Sequence, residues 1–338
     1  MKIKTNASQY PIDFVVTWVD GADVEWLKKK SLYKAEDSIE DCVQRYRDWD
    51  IFKYWFRAVE KYAPWVNNIY VVTDSQKPNF LNEKHPKVKL ISHEEFIPKQ
   101  YLPTFSSHVI ENHLHRIEGL SEQFVYFNDD MFLNRDIYPK DFFRKGKPCY
   151  ELIERPYVPM MPMGAHNYAT VNNMAIINKH FTRKSMRQKI SRFFSFQYGK
   201  SGLKNICMLP WRNYQHFEDN HMPTPYLKST FEEVWELEGE YLGKISQNKF
   251  RHCSDVNHFL FRYWDLARGN FVPYHLKSGY YSINRNTVTE CVKDIEMSKS
   301  LMICVNDGGD LESFEKDRDL IRDAFEKKYP TKSRFEMK

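Results

Sequence analysis

Four short runs in the first part of the chain are apolar at nearly every position. Asp13-Phe-Val-Val-Thr-Trp-Val closes at the turn pair Asp20-Gly21, and Asn68-Ile-Tyr-Val-Val-Thr-Asp74 closes on an aspartate. Val88-Lys-Leu-Ile-Ser is the third run and Phe124-Val-Tyr-Phe-Asn128 the fourth. Short runs without a polar alternation predict strands covered on both faces. Between them the period changes. Ile51, Tyr54, Trp55, Ala58 and Tyr62 recur at helical spacing within 48–62, and Pro64 stops the pattern. Residues 106–117 predict another helix, with Ser106 or Ser107 at its N-cap. Strands separated by helical stretches of about 15 residues predict βαβ units and an α/β fold with a mostly parallel, Rossmann-like sheet. Ligands in such sheets bind beyond the carboxyl ends of the strands. Asp20, Asp74, Asp129 and Asp130 all fall at those ends, so a convergence of carboxylates is expected.

The rhythm breaks after residue 150. Pro156, Pro159, Pro162, Pro210, Pro223 and Pro225 punctuate the next hundred residues. The predicted organisation is therefore a first core part over 10–150, a largely helical insertion over 151–250, and a second core part over 251–338. Residues 180–206 contain Arg183, Lys184, Arg187, Lys189, Arg192, Lys200 and Lys204 with no Asp or Glu, interspersed with phenylalanines. That pattern predicts a basic amphipathic helix suited to an anionic membrane or acceptor. Further on, an apolar helix follows His258. A strand then ends in Asn306-Asp307, and a charged helix is expected over 311–328.

Composition sharpens this only slightly. The chain has 338 residues, 42% hydrophobic and 16% aromatic, enough for a large core in one domain or two. A net charge of +5 favours anionic ligands. No basic stripe interleaved with aromatics runs long enough to suggest nucleic acid. The six cysteines form no C-x-x-C pair, which points to reduced structural thiols. Residues 1–9 hold no apolar run, and no stretch approaches a membrane span. The expectation is a cytoplasmic protein with peripheral contact at the inner membrane face.

The candidate chemistry lies in a few places. Asn128-Asp129-Asp130 delivers adjacent carboxylates at the end of a buried strand, an arrangement that needs a cation, a proton or strong donors. His108, Glu111, Asn112 and His115 share one helix face by spacing. His221, in His-Met-Pro, is a candidate general base. Arg251 has the planar fork of a phosphate clamp.

Four ordered blocks resemble the Stealth family of sugar-1-phosphate transferases. They are Ile12-Asp-Phe-Val-Val-Thr-Trp-Val-Asp-Gly-Ala-Asp-Val-Glu-Trp26; the stretch from Arg45-Tyr-Arg-Asp through Glu60 to Asp74 and on to Asn128-Asp-Asp130; His221-Met-Pro with Phe250-Arg251; and Cys304-Val-Asn-Asp307 through Tyr329 to Glu336. One departure is Arg47-Asp-Trp-Asp-Ile-Phe-Lys-Tyr-Trp-Phe56, where Trp49 and Trp55 add bulk to the family's pattern.

The resemblance implies a nucleotide-sugar transferase-like core. It implies transfer of hexose- or N-acetylhexosamine-1-phosphate from a UDP-sugar to a hydroxyl of a glycan or lipid-linked oligosaccharide in capsule synthesis. A metal-dependent phosphodiesterase, or a glycan-binding protein without turnover, is the alternative. The implied catalytic residues are Asp129, Asp130, His221 and Arg251, with either His221 or Asp130 as base. Trp18, Asp20, Arg45, Asp48, Asp50, Asn112, His115 and Arg116 would bind substrate. Asp130, Asn306 and Asp307 would hold Mg²⁺ or Mn²⁺.

Overall fold

A computed structural model describes residues 10–33, 46–183, 190–308 and 312–338. The strands are β1 (Ile12–Thr17), β2 (Ile69–Thr73), β3 (Val88–Ser92), β4 (Gln123–Asn128), β5 (Met131–Leu133), β6 (Phe143–Arg144) and β7 (Lys147–Tyr150), followed by β8 (Thr224–Leu227), β9 (Val272–Pro273), β10 (Ser278–Ile283) and β11 (Met302–Asp307). The longer helices are α1 (Val24–Ser31), α2 (Phe52–Tyr62), α3 (Ser107–His113), α4 (Ala165–His180), α5 (Lys228–Ile245), α6 (Phe259–Arg268), α7 (Val288–Met297) and α8 (Phe314–Lys328).

The central sheet has the order β3-β2-β1-β4-β8. Its first four strands are parallel, and β8 runs antiparallel to β4. Strand side chains alternate between two cores. Phe14, Val16, Val125 and Phe127 face α2, α7 and α8, whereas Val15, Phe124 and Tyr126 face α4, α5 and α6. This is why the runs show no polar alternation. The chain moves from β1 outward to β2 and β3, then returns to the other side of β1 for β4, creating a switch point between β1 and β4. Asp13 fixes the opposite end. Its carboxylate accepts from Asn67 Nδ2, Asn68 N and Ser121 N at 2.8–2.9 Å, clamping the loops that enter β2 and β4.

A second sheet, β10-β11-β5, adjoins the first through the turn at Asp129–Asp130. Strand β5 is antiparallel to β11, and Val305 N donates to the Asp130 carbonyl at 2.8 Å. The Asp-Asp pair is therefore the joint between two sheets. A small third sheet orders β6-β7-β9.

Several expectations change. The stretch over 151–250 is not a separable insertion, because it supplies β8 to the central sheet and α5 to its core. Its prolines hid this. Pro225 lies inside β8, an edge strand, where a missing N–H is tolerated. The basic stretch is not one helix among the described residues. It appears as Ile190–Phe193, a 3₁₀ segment Phe196–Gly202 and Leu203–Cys207; residues 184–189 lie outside the described set. Helix α2 begins at Phe52, later than 48, because Asp50 adopts a positive φ of 52°. The helix expected over 106–117 ends at His113 and tightens to a 3₁₀ turn, Leu114–Arg116. Ser106 holds the N-cap position without a side-chain capping bond. Cys149, Cys207, Cys253, Cys291 and Cys304 are free thiols, and Cys42 lies outside the described residues. Among the described residues no helix is long and apolar enough to cross a membrane.

Candidate active site

A cavity of about 700 Å³ opens at the carboxyl ends of β1, β2, β4 and β11. That volume suits a ligand of nucleotide-sugar size. Its wall includes Trp18 after β1, Asp74 after β2, Asn128, Asp129 and Asp130 after β4, and Asn306 and Asp307 at the end of β11. His221 and Arg251 complete it from the other side.

The His221 segment is held from behind. Asp219 accepts from Arg262 Nη1 at 3.0 Å and from the Tyr263 hydroxyl, both on the buried helix α6. Met222 packs into the core, so the imidazole between them is turned into the cavity. His221 Nε2 lies 3.6 Å from Asp130 Oδ2 and 3.5 Å from Asn128 Nδ2. Burial alone would lower the His221 pKa. The hydrogen bond and charge of Asp130, with the Glu111 charge, outweigh it and raise the pKa above 6.5. Burial pushes Asp129 up to about 7, reinforced by the neighbouring Asp130 charge. Asp130 Oδ1 is buried without a hydrogen-bond partner, while Oδ2 accepts from the Cys304 thiol at 3.3 Å. An under-satisfied carboxylate beside a second one that resists ionisation is a site that gains from a cation.

Arg251 is pinned by a 2.7 Å bond from Nη2 to Ser107 Oγ. Burial lowers its pKa, with Glu111 pulling in the opposite direction. Glu111 is itself pushed up to about 7 by burial, against the pull of Arg251. Its Oε2 accepts from His258 N at 3.3 Å, and His258 Nδ1 meets the Tyr226 hydroxyl at 2.6 Å. Burial and the His221 charge hold His258 far below the usual histidine range. His166, in the first turn of α4, is pushed down to about 4 by burial and by His221 and Arg251. The cavity thus concentrates titratable groups whose protonation is set by one another.

Elsewhere in the cavity, the loop Tyr46–Ile51 forms part of the wall. Arg47 grips Asp307 with Nε at 2.9 Å and Nη2 at 2.6 Å, and its guanidinium lies 4.3 Å from the centroid of the Phe314 ring. Trp49 meets Phe314 edge-on at 5.1 Å, and Trp18 stacks on Phe52 with ring planes 5° apart. Gly21 lets the chain pass here, because a Cβ would come within 2.2 Å of the Tyr46 carbonyl oxygen.

The structure thus brings Asp129, Asp130, His221, Arg251, Trp18, Asp48, Asn306 and Asp307 to one cavity. It places five other candidates differently, and Arg45 lies outside the described residues. Asp20 does not line the cavity; its Oδ1 accepts from Ala22 N at 2.9 Å and builds the turn. Asp50 points outward to Lys53 at 3.2 Å. The stripe on α3 divides at the tightened end of the helix. His108 and Glu111 face the cavity, whereas Asn112 donates to the Val256 carbonyl at 3.2 Å. His115 packs on Phe231 and Trp235, and Arg116 covers the Trp235 ring at 4.8 Å. Asp307 meets the cavity with its carboxylate engaged by Arg47. Arg47, His166, His258 and Cys304 were not singled out as site residues from sequence, and Glu111 entered only as a member of the polar stripe. Glu111 shared the α3 stripe and Arg47 lay within a quoted block, but neither pattern says which neighbour faces inward.

A parallel sheet whose switch point opens on carboxylates, imidazoles and an arginine defines an enzyme of the α/β class. The family models for Stealth protein CR1, conserved region 1, and Stealth protein CR2, conserved region 2, match residues 10–38 and 45–150. The capsular polysaccharide phosphotransferase WcwK of Streptococcus pneumoniae is 46% identical, covering 97% of this chain and 98% of its own. The exopolysaccharide phosphotransferase cps2G of Lactiplantibacillus plantarum is 42% identical over 97% of this chain and 96% of its own. The receptor polysaccharide phosphotransferase WefC of Streptococcus oralis is 42% identical over 96% and 99%. The chain belongs to the Stealth family of phosphotransferases. A solved bifunctional glycosyltransferase, WbbM, aligns over 96% of this chain and 52% of its own at 10% identity; its TM-score of 0.37 is too low to carry an argument.

Proposed function

We propose that this chain transfers hexose- or N-acetylhexosamine-1-phosphate from a UDP-sugar to a hydroxyl of a glycan or lipid-linked oligosaccharide. The product is a phosphodiester in a cell-surface polysaccharide. The observation that carries the reading is His221 beside Asp130, facing a cavity of nucleotide-sugar size in a member of a phosphotransferase family.

His221 accepts the proton of the attacking hydroxyl, and its raised pKa makes it the stronger base. The new bond forms between that oxygen and the β-phosphorus. The bond from the β-phosphorus to the bridging oxygen breaks, and UMP leaves. Arg251 neutralises phosphate oxygens from the opposite wall. Trp18, Trp49 and Tyr46 offer aromatic faces to the donor. Asp129 and Asp130, with Asn306, would hold Mg²⁺ or Mn²⁺, because Asp130 Oδ1 is buried without a partner and Asp129 resists ionisation. Such an ion supplies neutralisation of the charge on the diphosphate. Asp307 instead positions Arg47.

The test is nucleoside monophosphate release from a panel of nucleotide-sugars, with Mg²⁺ or EDTA, with or without a glycan acceptor. Metal- and acceptor-dependent UMP release with sugar phosphate retained in the product is the expected result. UMP release without acceptor would instead indicate a phosphodiesterase, UDP release a glycosyl transfer, and binding without release a glycan-binding protein.

The same reading places the enzyme at a membrane surface. Phe196, Leu203, Ile206 and Trp211 are exposed, Lys200 and Arg212 stand among them, and 190–212 contains no acidic residue. Buried Asn205 ties this segment down through Glu154 N at 2.7 Å and the carbonyls of Leu152 and Phe193. A fixed apolar and cationic face complements an anionic bilayer.

A further inference from the structure

Three ligand atoms of different character meet at and just behind the cavity wall. Asp130 Oδ2 lies 3.6 Å from His221 Nε2 and 3.3 Å from Cys304 Sγ. A ligand atom from each of these residues lies within 4.8 Å of one from each of the others. A tetrahedral ion with bonds of about 2.0–2.3 Å separates its ligand atoms by roughly 3.3–3.7 Å. The edges from Asp130 to His221 and to Cys304 fall within that range, and the third is no longer than 4.8 Å.

The backbone fixes this grouping. Cys304 sits opposite Met131 in the β11–β5 ladder, and the next residue, Val305, donates to the Asp130 carbonyl at 2.8 Å. Asp219, gripped by α6, fixes the approach of His221. Asp130 and His221 line the cavity, which gives an ion a path in and leaves the fourth position facing the substrate space. Cys304 is fully buried behind them.

The donor set decides which ion. A thiolate, an imidazole and one carboxylate form a soft-to-borderline site. Mg²⁺ demands oxygen ligands and near-octahedral geometry, so this triad does not suit it. Zn²⁺ takes these three donors in open four-coordinate sites. We propose that Asp130, His221 and Cys304 form a Zn²⁺-binding site, which shares Asp130 with the Mg²⁺ or Mn²⁺ site and whose occupation switches the enzyme off. Zn²⁺ takes the Nε2 lone pair that would accept the acceptor's proton, and it takes Asp130 from its other partner. The thiol releases one proton to solvent on binding. Binding does not depend on the transferase reading; inhibition does.

Cobalt substitution tests the site by spectroscopy, independently of activity. Co²⁺ added to the metal-free full chain is expected to bind with a near-ultraviolet thiolate-to-cobalt charge-transfer band and visible bands of tetrahedral intensity. Zn²⁺ should displace it mole for mole. Cys304→Ser should abolish the charge-transfer band. His221→Ala, at a partly exposed side chain, should weaken binding at least tenfold with the fold intact by circular dichroism. A band that survives Cys304→Ser but vanishes in Cys253→Ser would put the metal at His252 and Cys253 instead, and would overturn the proposal. Co²⁺ binding without a charge-transfer band would also overturn it.

In the UMP-release assay, Zn²⁺ should inhibit in the presence of excess Mg²⁺, and Cys304→Ser should need at least tenfold more Zn²⁺. A charge-transfer band with no UMP release from any donor would retain the metal site while removing the transferase reading. A band with UMP release insensitive to Zn²⁺ would remove the switch.

Discussion

Arg47 and Asp307, separated by 260 residues in the chain, form a two-pronged ion pair at 2.9 and 2.6 Å. The pair joins the loop after the first block of the family to the end of β11. Both side chains are about nine-tenths buried, so removing one partner leaves the other charge without this ion pair in a poorly solvated place. Arg47→Ala is expected to cost roughly 3 kcal/mol in urea unfolding. It should raise the donor KM about tenfold with a smaller change in kcat, because the loop it anchors lines the cavity where the proposed donor binds. Replacing both residues by alanine should cost less than the sum of the single changes. Strict additivity in that cycle would show that the pair does not couple the two segments.

The pH dependence of turnover should report His221. A base must be neutral, so kcat/KM rises with pH through its pKa, which Asp130 and Glu111 hold above 6.5. Glu111→Gln removes one of those charges. Because Glu111 itself titrates at about 7, the ascending limb should move to lower pH at and above neutrality, where Glu111 carries its charge, and kcat/KM near pH 7 should rise relative to the parent. A limb that stays in place would separate Glu111 from His221 and remove it from the site's electrostatics.

The sheet was largely legible in the sequence, and the site only in part, for one physical reason. Runs such as 13–19 and 68–74 carry their own signal, because burial on both faces needs an unbroken apolar string. β8 carries no such signal, since its Pro225 is admitted only by an edge position that neighbours create. Spacing put His108, Glu111, Asn112 and His115 on one helix face, but α3 ends at His113 and the 3₁₀ turn carries His115 away from the cavity. Which of them meets the cavity depends on where α5 and α6 pack, and Trp235 captures His115 and Arg116 on the far side. Residues as near in sequence as Asp48 and Asp50 separate because a positive φ at Asp50 turns the second outward. Information of that kind lies in tertiary contacts.

Asp129 gives a stability signature. Its pKa rises from 3.8 to about 7 on folding, so the folded state binds the proton more tightly. That contribution is fully present below the unfolded value and is lost as pH rises through about 7. Each pH unit within the window is worth about 1.4 kcal/mol at most. Asp129→Asn removes the dependence, so its melting temperature should gain on the parent between pH 5 and pH 8. Mg²⁺ should narrow the difference at pH 8 by stabilising the parent alone. An offset identical at both pH values would show that Asp129 ionises freely in the folded chain.

The exposed face at 190–212 predicts lipid dependence. The protein should float with vesicles containing anionic phospholipid and remain behind with neutral vesicles. Replacing Leu203, Ile206 and Trp211 by serine should abolish flotation and leave UMP release to a short soluble acceptor within about twofold. Flotation unaffected by these changes would place the contact elsewhere.

Arg116 and His115 close the case for reading the α3 stripe by its packing. Arg116 sits over the Trp235 ring at 4.8 Å, and burial pushes His115 down to about 3 against Phe231 and Trp235. Neither lines the cavity. Arg116→Ala should therefore lose about 0.5–1 kcal/mol of stability, the value of an exposed cation–π contact. Its kcat and donor KM should stay within about twofold. His115→Phe keeps the aromatic packing and should be similarly silent in kinetics. Arg251→Ala, by contrast, should lower kcat by about a hundredfold or more, because Arg251 lines the cavity in which the proposed reaction transfers its phosphate. If Arg116→Ala matched that loss, the phosphate clamp would extend to the far side of α3, and the division of the stripe at His113 would not hold.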